Sequence, residues 1–267
     1  MNIVNETAYE TIKVRRQDSV CFLEIARPEA NNTINKQLIV DLSEALSECE
    51  EWATVVVLSG SPEVFCYGAD FKAMARMDPM LTIRDRHGEE ENDTPGLMYD
   101  LWLRMATGPY VTIAHVRGQA NAGGVGFVAA SDIVLADESA QFSLSELIFG
   151  LYPACVLPFL IRRVGFQKAH YLTLSTAPIG AKQAMEWGLV DAVEPQSEVL
   201  LRRHLQRLRR LSKSGIRRYK SYASRISMPL RDLKSTAVAG NLELFTDQAN
   251  RQAITRFVER GVFPWEP

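Results

Sequence analysis

Alternation of apolar and polar positions predicts a hairpin at the start of the chain. TIKVRR and SVCFLEIAR, between residues 10 and 27, read as two short strands around the turn residues Gln17-Asp18-Ser19, with Val20, Phe22 and Glu24 in alternation. After the turn-like RPEANN, the run INKQLIVDLSEALSECEEW keeps Leu38, Leu42, Ala45, Leu46 and Cys49 at helical spacing. ATVVVLSG is short, β-branched and continuous, the pattern of a strand covered on both faces. The unit then recurs. FCYGADFKAMARM reads as a loop entering a helix, LMYDLWLRMATG as a helix, YVTIAHVRG as a second buried strand, and QANAGGVGFVAASD as a helix started by a Gly-Gly pair. DIVLADESAQFSLSEL returns to strands. Strand and helix alternate to about residue 190, which predicts an α/β fold with a largely parallel sheet.

Beyond Val193 the strand signal stops. LLRRHLQRLRRLSKSGIRRYKSYASRI and STAVAGNLELFTDQANRQAITRFVER are helical in period. Residues 1–195 are therefore expected to form the core, and residues 196–267 a C-terminal helical module serving oligomerisation or as a lid. Arg76 to Pro95 differs from its surroundings: it is polar, with Glu89, Glu90, Glu91 and Asp93 in an acidic run, and reads as a lid or a solvated surface loop.

Composition narrows the classes. Of 267 residues, 46% are hydrophobic and 23% charged, which is ordinary for a globular protein and argues against disorder. Thirty basic residues face 32 acidic ones, a net −2, so no overall field draws nucleic acid or an anionic membrane. Cys21, Cys49, Cys66 and Cys155 show no CxxC pairing, and neither a signal-like nor a membrane-spanning apolar run is present. A cytoplasmic protein with free thiols is expected.

Two glycine turns carry the candidate chemistry. Phe65-Cys66-Tyr67-Gly68-Ala69-Asp70-Phe71 follows one buried strand, and Gly118 to Gly126 (GQANAGGVG) follows another. Glycine lets backbone approach a ligand closely. A helix starting at Gly123 would offer N–H groups without an internal partner, and two such groups aimed at one oxygen would stabilise an enolate. Alone, GADF is more often an ordinary turn and AGGVG more often close helix packing. GxGxxG and GxxxxGK[ST] phosphate cradles are absent.

In order, spacing and residue type, ARPEANNTIN, VVVLSGSPEVFCYGADF, IAHVRGQANAGGVGFVAASDIVLADESAQFSLSELIFGLYPA and AMEWGLVDAV resemble the crotonase (enoyl-CoA hydratase/isomerase) superfamily from about residue 10 to the C-terminus. The resemblance implies a spiral of ββα turns with a C-terminal helical region, assembled as a homotrimer or hexamer. It places the two oxyanion-hole N–H groups on Ala69 and Gly123. Hydratases of this family carry two glutamates. The first would fall on Gly126, and the second falls on Glu146, so only one is present. Partial burial would lift the Glu146 pKa towards neutrality and suit it to proton transfer; a surface glutamate is the bland alternative.

RPEANNTIN, EVFCYGADF, MYDLW, TGPYVTIAHVRG, NAGGVGF, FSLSELIFGLYPACVLPFLIRRVG and the ending FPWE are similar to the dehydratases of polyketide β-branching cassettes. That likeness implies a 3-hydroxy-3-methylglutaryl thioester on the phosphopantetheine of an acyl carrier protein, with no metal or redox cofactor. The sister decarboxylase, a CoA-dependent hydratase or isomerase, and a non-catalytic binding protein are the alternatives.

Further residues are assigned around this site. Tyr67, Asp70, Gly124, Gly126 and Ala154 are expected to line the substrate. Arg84, Arg86 and His87 on the lid-like segment, with hydroxyls of Tyr99 and Tyr152, are candidate donors to the distal carboxylate, which cannot be buried unpaired without cost. Tyr67 and Tyr99 also read as packing aromatics, and Asp70 and Asp100 as helix caps. A helix from Leu200 to Lys220 is predicted with Leu201, Leu205 and Leu208 on one stripe and a basic face, where Arg207 and Arg210 would dock an acidic carrier. Its alternative is a solvated helix or a patch for CoA phosphates. Cys66 and Cys155 read as small buried hydrophobes rather than nucleophiles, His115 as a packed core residue, and His170 has no distinguishing context.

Overall fold

A computed structural model describes residues 9–75 and 94–266. The predicted hairpin forms as β1 (Ile12–Gln17) and β2 (Val20–Ile25), antiparallel across Asp18, whose positive φ of 53° makes the turn. Helix α1 (Lys36–Trp52) starts at Asn35, whose side chain accepts from the Leu38 N–H at 2.9 Å. Then come β3 (Val55–Ser59), β4 (Val64–Cys66), α2 (Phe71–Ala75), α3 (Thr94–Thr107), β5 (Val111–Val116), β6 (Gln119–Asn121) and α4 (Gly123–Ala130). A third round follows as β7 (Ile133–Ala136), β8 (Gln141–Ser143), a 3-10 helix at Glu146–Phe149, α5 (Leu157–Val164) and α6 (Phe166–Ser175). After β9 (Ile179–Gly180), α7 (Ala181–Glu186) and β10 (Ala192–Val193), the chain continues as α8 (Ser197–Leu208), α9 (Lys213–Ile226), α10 (Leu230–Thr246) and α11 (Gln248–Arg260).

The strands are shared between two sheets. One has the order β1-β2-β3-β5-β7-β10 and the other β4-β6-β8-β9. Both are parallel except at β1/β2 and β8/β9. In each round the first strand joins the large sheet, the second joins the small one, and a helix carries the chain to the next level. This is the ββα spiral of the crotonase fold.

The continuous apolar strands are explained by layers on both faces. Leu23, Val56, Leu58, Ala114 and Val134 face a core with Leu38 and Leu42 of α1, Trp102 of α3 and Phe127 of α4. Val20, Val55, Val57, Ile113 and Leu135 face the other way, against Leu200, Leu201 and Leu205 of α8. Burying each of these leucines stabilises the docking of α8 by roughly 2 kcal/mol. His115 lies on this face as a packed residue, its Nε2 2.8 Å from Ser197 Oγ.

Two corrections concern the C-terminal helices. The single helix expected from Leu200 to Lys220 is two, α8 and α9, because Ser212 accepts from the Gly215 N–H at 3.1 Å and starts a new helix. Lys220 does not belong to an exposed basic face. It is 5% exposed, and its Nζ donates to Asp132 Oδ2 (2.6 Å), Met105 O (3.1 Å) and Tyr110 O (2.9 Å). All four cysteines are free and buried, and none of the described helices is long and apolar enough to cross a membrane.

Candidate active site

The first turn leaves β4 and is pinned to the segment before α1. Tyr67 N–H donates to Asn31 O, Ile34 N–H to Gly68 O (2.7 Å) and Asp70 N–H to Ile34 O (3.0 Å). The Gly68–Ala69 peptide is trans, so with its carbonyl turned to Ile34 its Ala69 N–H points the opposite way. The second turn lies against Gly68. Gly68 has φ +90°, and a Cβ there would come within 2.7 Å of Ala122 Cβ and 3.3 Å of the Gly123 nitrogen. The two turns therefore abut.

Gly123 is the first residue of α4, where an N–H has no acceptor inside the helix. Ala122 before it has φ 50° and ψ −120°, a conformation an L residue adopts only when its surroundings impose it. Its N–H donates to Ser143 O (2.9 Å) and its carbonyl accepts from Val125 (2.9 Å). At Gly124 a Cβ would fall 2.1 Å from Cys66 O, so the start of α4 lies against the end of β4.

Glu146 opens the 3-10 helix that follows β8. Gly150 in the left-handed region closes that turn, and Leu151 N–H donates to Glu146 O at 3.1 Å. Phe149, in the same turn, packs edge-on against Phe71 and Phe257, centroids 5.1 Å apart in each case, so α2 and α11 brace the glutamate's backbone. The residue is half-buried overall, but its Oε2 is shut off from solvent and has no hydrogen-bond partner among the described residues. Burial lifts its carboxyl to about 7, against a smaller downward pull from its own backbone N–H.

Asn121, buried and not singled out by the sequence, ties these parts together. Its Nδ2 donates to Ser145 Oγ (2.9 Å) and Tyr67 O (3.4 Å), and its Oδ1 accepts from Ser143 Oγ (2.8 Å). One amide thus spans the first turn, β8 and the residue before Glu146. Its only sequence signal is a polar side chain inside the apolar QANAGG.

Several other assignments resolve differently. Tyr99 is a packing aromatic, its hydroxyl donating to Leu230 O at 2.6 Å, which withdraws it as a donor to the distal carboxylate. Asp70 is a cap. Its Oδ1 accepts from Ala73 N–H (3.0 Å) and its Oδ2 pairs with Arg27 (3.1 Å); burial pushes its carboxyl up, but these contacts prevail and hold it low. Asp100 sits inside α3 and pairs with Lys234, so it is not a cap. Gly126 faces Trp102. Tyr152 and Ala154 lie beside Gly240 of α10, and Tyr67 has an exposed ring. Arg84, Arg86 and His87 lie outside the described residues. Burial pushes the Cys66 thiol up to about 12, against the contrary pull of Gly68 N–H and Arg27, so it is no nucleophile. Cys155 is buried with Sγ 3.6 Å from Ala237 O, and His170 stacks on Phe166.

Among the described residues, Arg207 and Arg210 make no ion pair, whereas Arg203 pairs with Glu194 and Arg209 with Asp18. No described cluster of His, Cys, Asp and Glu is arranged to hold a metal. A cleft of about 660 Å³ lies away from both turns and Glu146. Its walls include Asp132, Arg163, Asp191 and Lys220, which already pair with one another.

Residues 15–267 match the family described as enoyl-CoA hydratase/isomerase. The bacillaene synthase dehydratase PksH of Bacillus subtilis (strain 168) is 54% identical over 259 residues, 97% of each chain. The 2,3-dehydroadipyl-CoA hydratase of Escherichia coli (strain K12) is 34% identical over 70% of each chain. The crystal structure of the Bacillus subtilis PksH, described as a polyketide biosynthesis enoyl-CoA hydratase, superposes with a TM-score of 0.88 over 96% of this chain and 100% of that one. With the spiral fold, the abutting turns and the buried glutamate, these matches establish that the chain belongs to the enoyl-CoA hydratase/isomerase (crotonase) family, as a lyase of the hydratase and dehydratase type.

Proposed function

We propose that this lyase dehydrates a 3-hydroxy-3-methylglutaryl group, held as a thioester on the phosphopantetheine of an acyl carrier protein, to the 3-methylglutaconyl thioester in polyketide β-branching. The observation that carries the reading is the Glu146 carboxyl, raised to about 7 with its Oε2 shut off from solvent, joined through Asn121 to two abutting backbone turns. The relative PksH is named a dehydratase of bacillaene synthesis, which supports the direction and the pathway class.

In this mechanism the Ala69 and Gly123 N–H groups hold the thioester oxygen as negative charge develops on it. The Glu146 carboxylate takes a proton from the second carbon of the acyl chain and leaves the enolate. The enolate pair then forms the C2–C3 double bond as the C3–O bond breaks, and Glu146 returns its proton to the departing hydroxide. One water leaves and Glu146 is again a carboxylate. The departing group sits on a tertiary carbon, whose alkyl substituents share the positive charge that develops there, so one carboxyl serves both transfers. The elimination is redox-neutral and calls on no metal or redox cofactor. Arg207 and Arg210 would steer the acidic carrier, and the exposed Phe166, Tyr171 and Leu174 of α6 supply an apolar face for a homotrimer or hexamer.

Mass spectrometry of the carrier-bound acyl chain tests this. Loss of water from the carrier form and not from the CoA form is expected, whereas loss of carbon dioxide would reassign the chain as a decarboxylase. Glu146→Gln should abolish turnover with the fold intact, and retained turnover would remove Glu146 from the mechanism. Charge reversal at Arg207 and Arg210 should slow carrier-linked turnover at low salt.

A further inference from the structure

The room beside Gly126, where a second carboxylate would stand, is filled. Trp102 of α3 is 2% exposed, and a Cβ on Gly126 would fall 2.3 Å from its Cζ2, 2.6 Å from Cη2 and 2.7 Å from Cε2. Cζ2 and both of its ring neighbours are nearly equidistant, so the indole lies with its face, not its edge, on the helix. The N–H, in the plane of the ring, therefore runs alongside α4 rather than into its backbone. Phe127 and Phe159 hold the ring edge-to-face at 5.8 Å each, which prevents it from turning to find a carbonyl. Its Nε1 is buried and has no hydrogen-bond partner among the described residues.

An indole N–H can only donate, and leaving it unmet in the interior costs stability. Among the described residues, Glu146 Oε2 is likewise buried without a hydrogen-bond partner. Gly126 stands one helical turn beyond Gly123 on the same face, and Cζ2 of Trp102 is 4.0 Å from a Cβ built on Gly123. One turn, about 5 Å, spans the distance from a thioester oxygen held at Gly123 to the substituents of the third acyl carbon.

We infer that Trp102 is a specificity-determining residue: its ring takes the room of a second carboxylate, and its N–H receives the oxygen on the third carbon of the acyl chain. The inference rests on the dehydratase reading above. A neutral donor there polarises the C–O bond without supplying a proton, which still comes from Glu146. It selects acyl groups that bear an oxygen at that carbon over those that do not.

The test uses the intact protein and two unreactive pantetheine amides, one of a 3-hydroxy-3-methyl acid and one of its 3-deoxy counterpart. The chain has four tryptophans, so the indole N–H resonances in a nitrogen-edited spectrum are few, and Trp102→Phe assigns the one in question. The hydroxylated amide should shift the Trp102 N–H downfield, and the deoxy amide should bind roughly tenfold to hundredfold more weakly without that shift. Trp102→Phe should lower kcat/KM for dehydration by a similar factor and leave the acid limb of the pH profile in place. If both amides bind and move the resonance alike, or not at all, or if Trp102→Phe turns over like the wild type, the inference is wrong while the thioester reading stands. If neither amide binds, both fall together.

Discussion

Glu146 combines burial with a backbone held from several sides, and the first property predicts two opposite pH trends. In the proposed mechanism dehydration begins with the carboxylate, so kcat/KM should rise as pH climbs through about 7 and then level off. Stability runs the other way. The folded chain keeps this proton up to about 7, while an unfolded glutamate releases it near its ordinary 4.5, so the folded state binds more protons in between and loses stability as pH rises through that window. Chemical denaturation of the wild type beside Glu146→Gln from pH 4 to 8 should show the loss only in the wild type. At Gly126 even a methyl group collides with the indole, and Gly126→Ala should cost about 1–3 kcal/mol in a urea titration. Ala69, Gly123 and Glu146 are candidates in the sequence because the family resemblance places its two oxyanion turns and one glutamate on them, in runs with a fixed order along the chain. Trp102 and Asn121 are not, since local periodicity shows which face of an element is apolar and not which distant side chain lies over a glycine.

At the scale of elements, α9 is anchored by a charge inside the protein. Lys220 joins it to Asp132 after β7's preceding helix, and to carbonyls at the end of α3 and just beyond. Burial lowers the Lys220 pKa while Asp132 pulls it back up. Asp132 also accepts from the Thr112 N–H and hydroxyl at 2.8 and 3.0 Å, so removing the lysine takes away its ion pair and leaves these neutral hydrogen bonds. Lys220→Met should cost about 3 kcal/mol, and Asp132→Asn in the same chain should recover part of it, both read from urea midpoints. The break between α8 and α9 escaped the sequence reading because arginines and leucines run through it without interruption. The leucine stripe serves the sheet only as far as Leu205 and Leu208, after which Ile216 and Lys220 turn to a different surface. The 3-10 helix bearing Glu146 depends likewise on α11, which touches it through Phe257.

Across the whole molecule, the alternation of strand and helix predicted a parallel α/β fold, and the family resemblance supplied the spiral. The division into two sheets was not legible from hydrophobic pattern, because β4, β6, β8 and β9 are two or three residues long and too short to alternate. The exposed apolar residues of α6 bear on assembly. With the proposed oligomer contact on α6, Leu174→Glu should reduce the native mass measured by light scattering, and an unchanged mass would remove α6 from that role. The indole stacked on Gly126 also bears on what the chain can become. A glutamate placed at position 126 alone meets the ring and destabilises the core, and a smaller residue at position 102 alone opens a cavity with nothing to occupy it. Each change is therefore unfavourable by itself, and a carboxylate can be introduced at position 126 only if position 102 is made smaller at the same time.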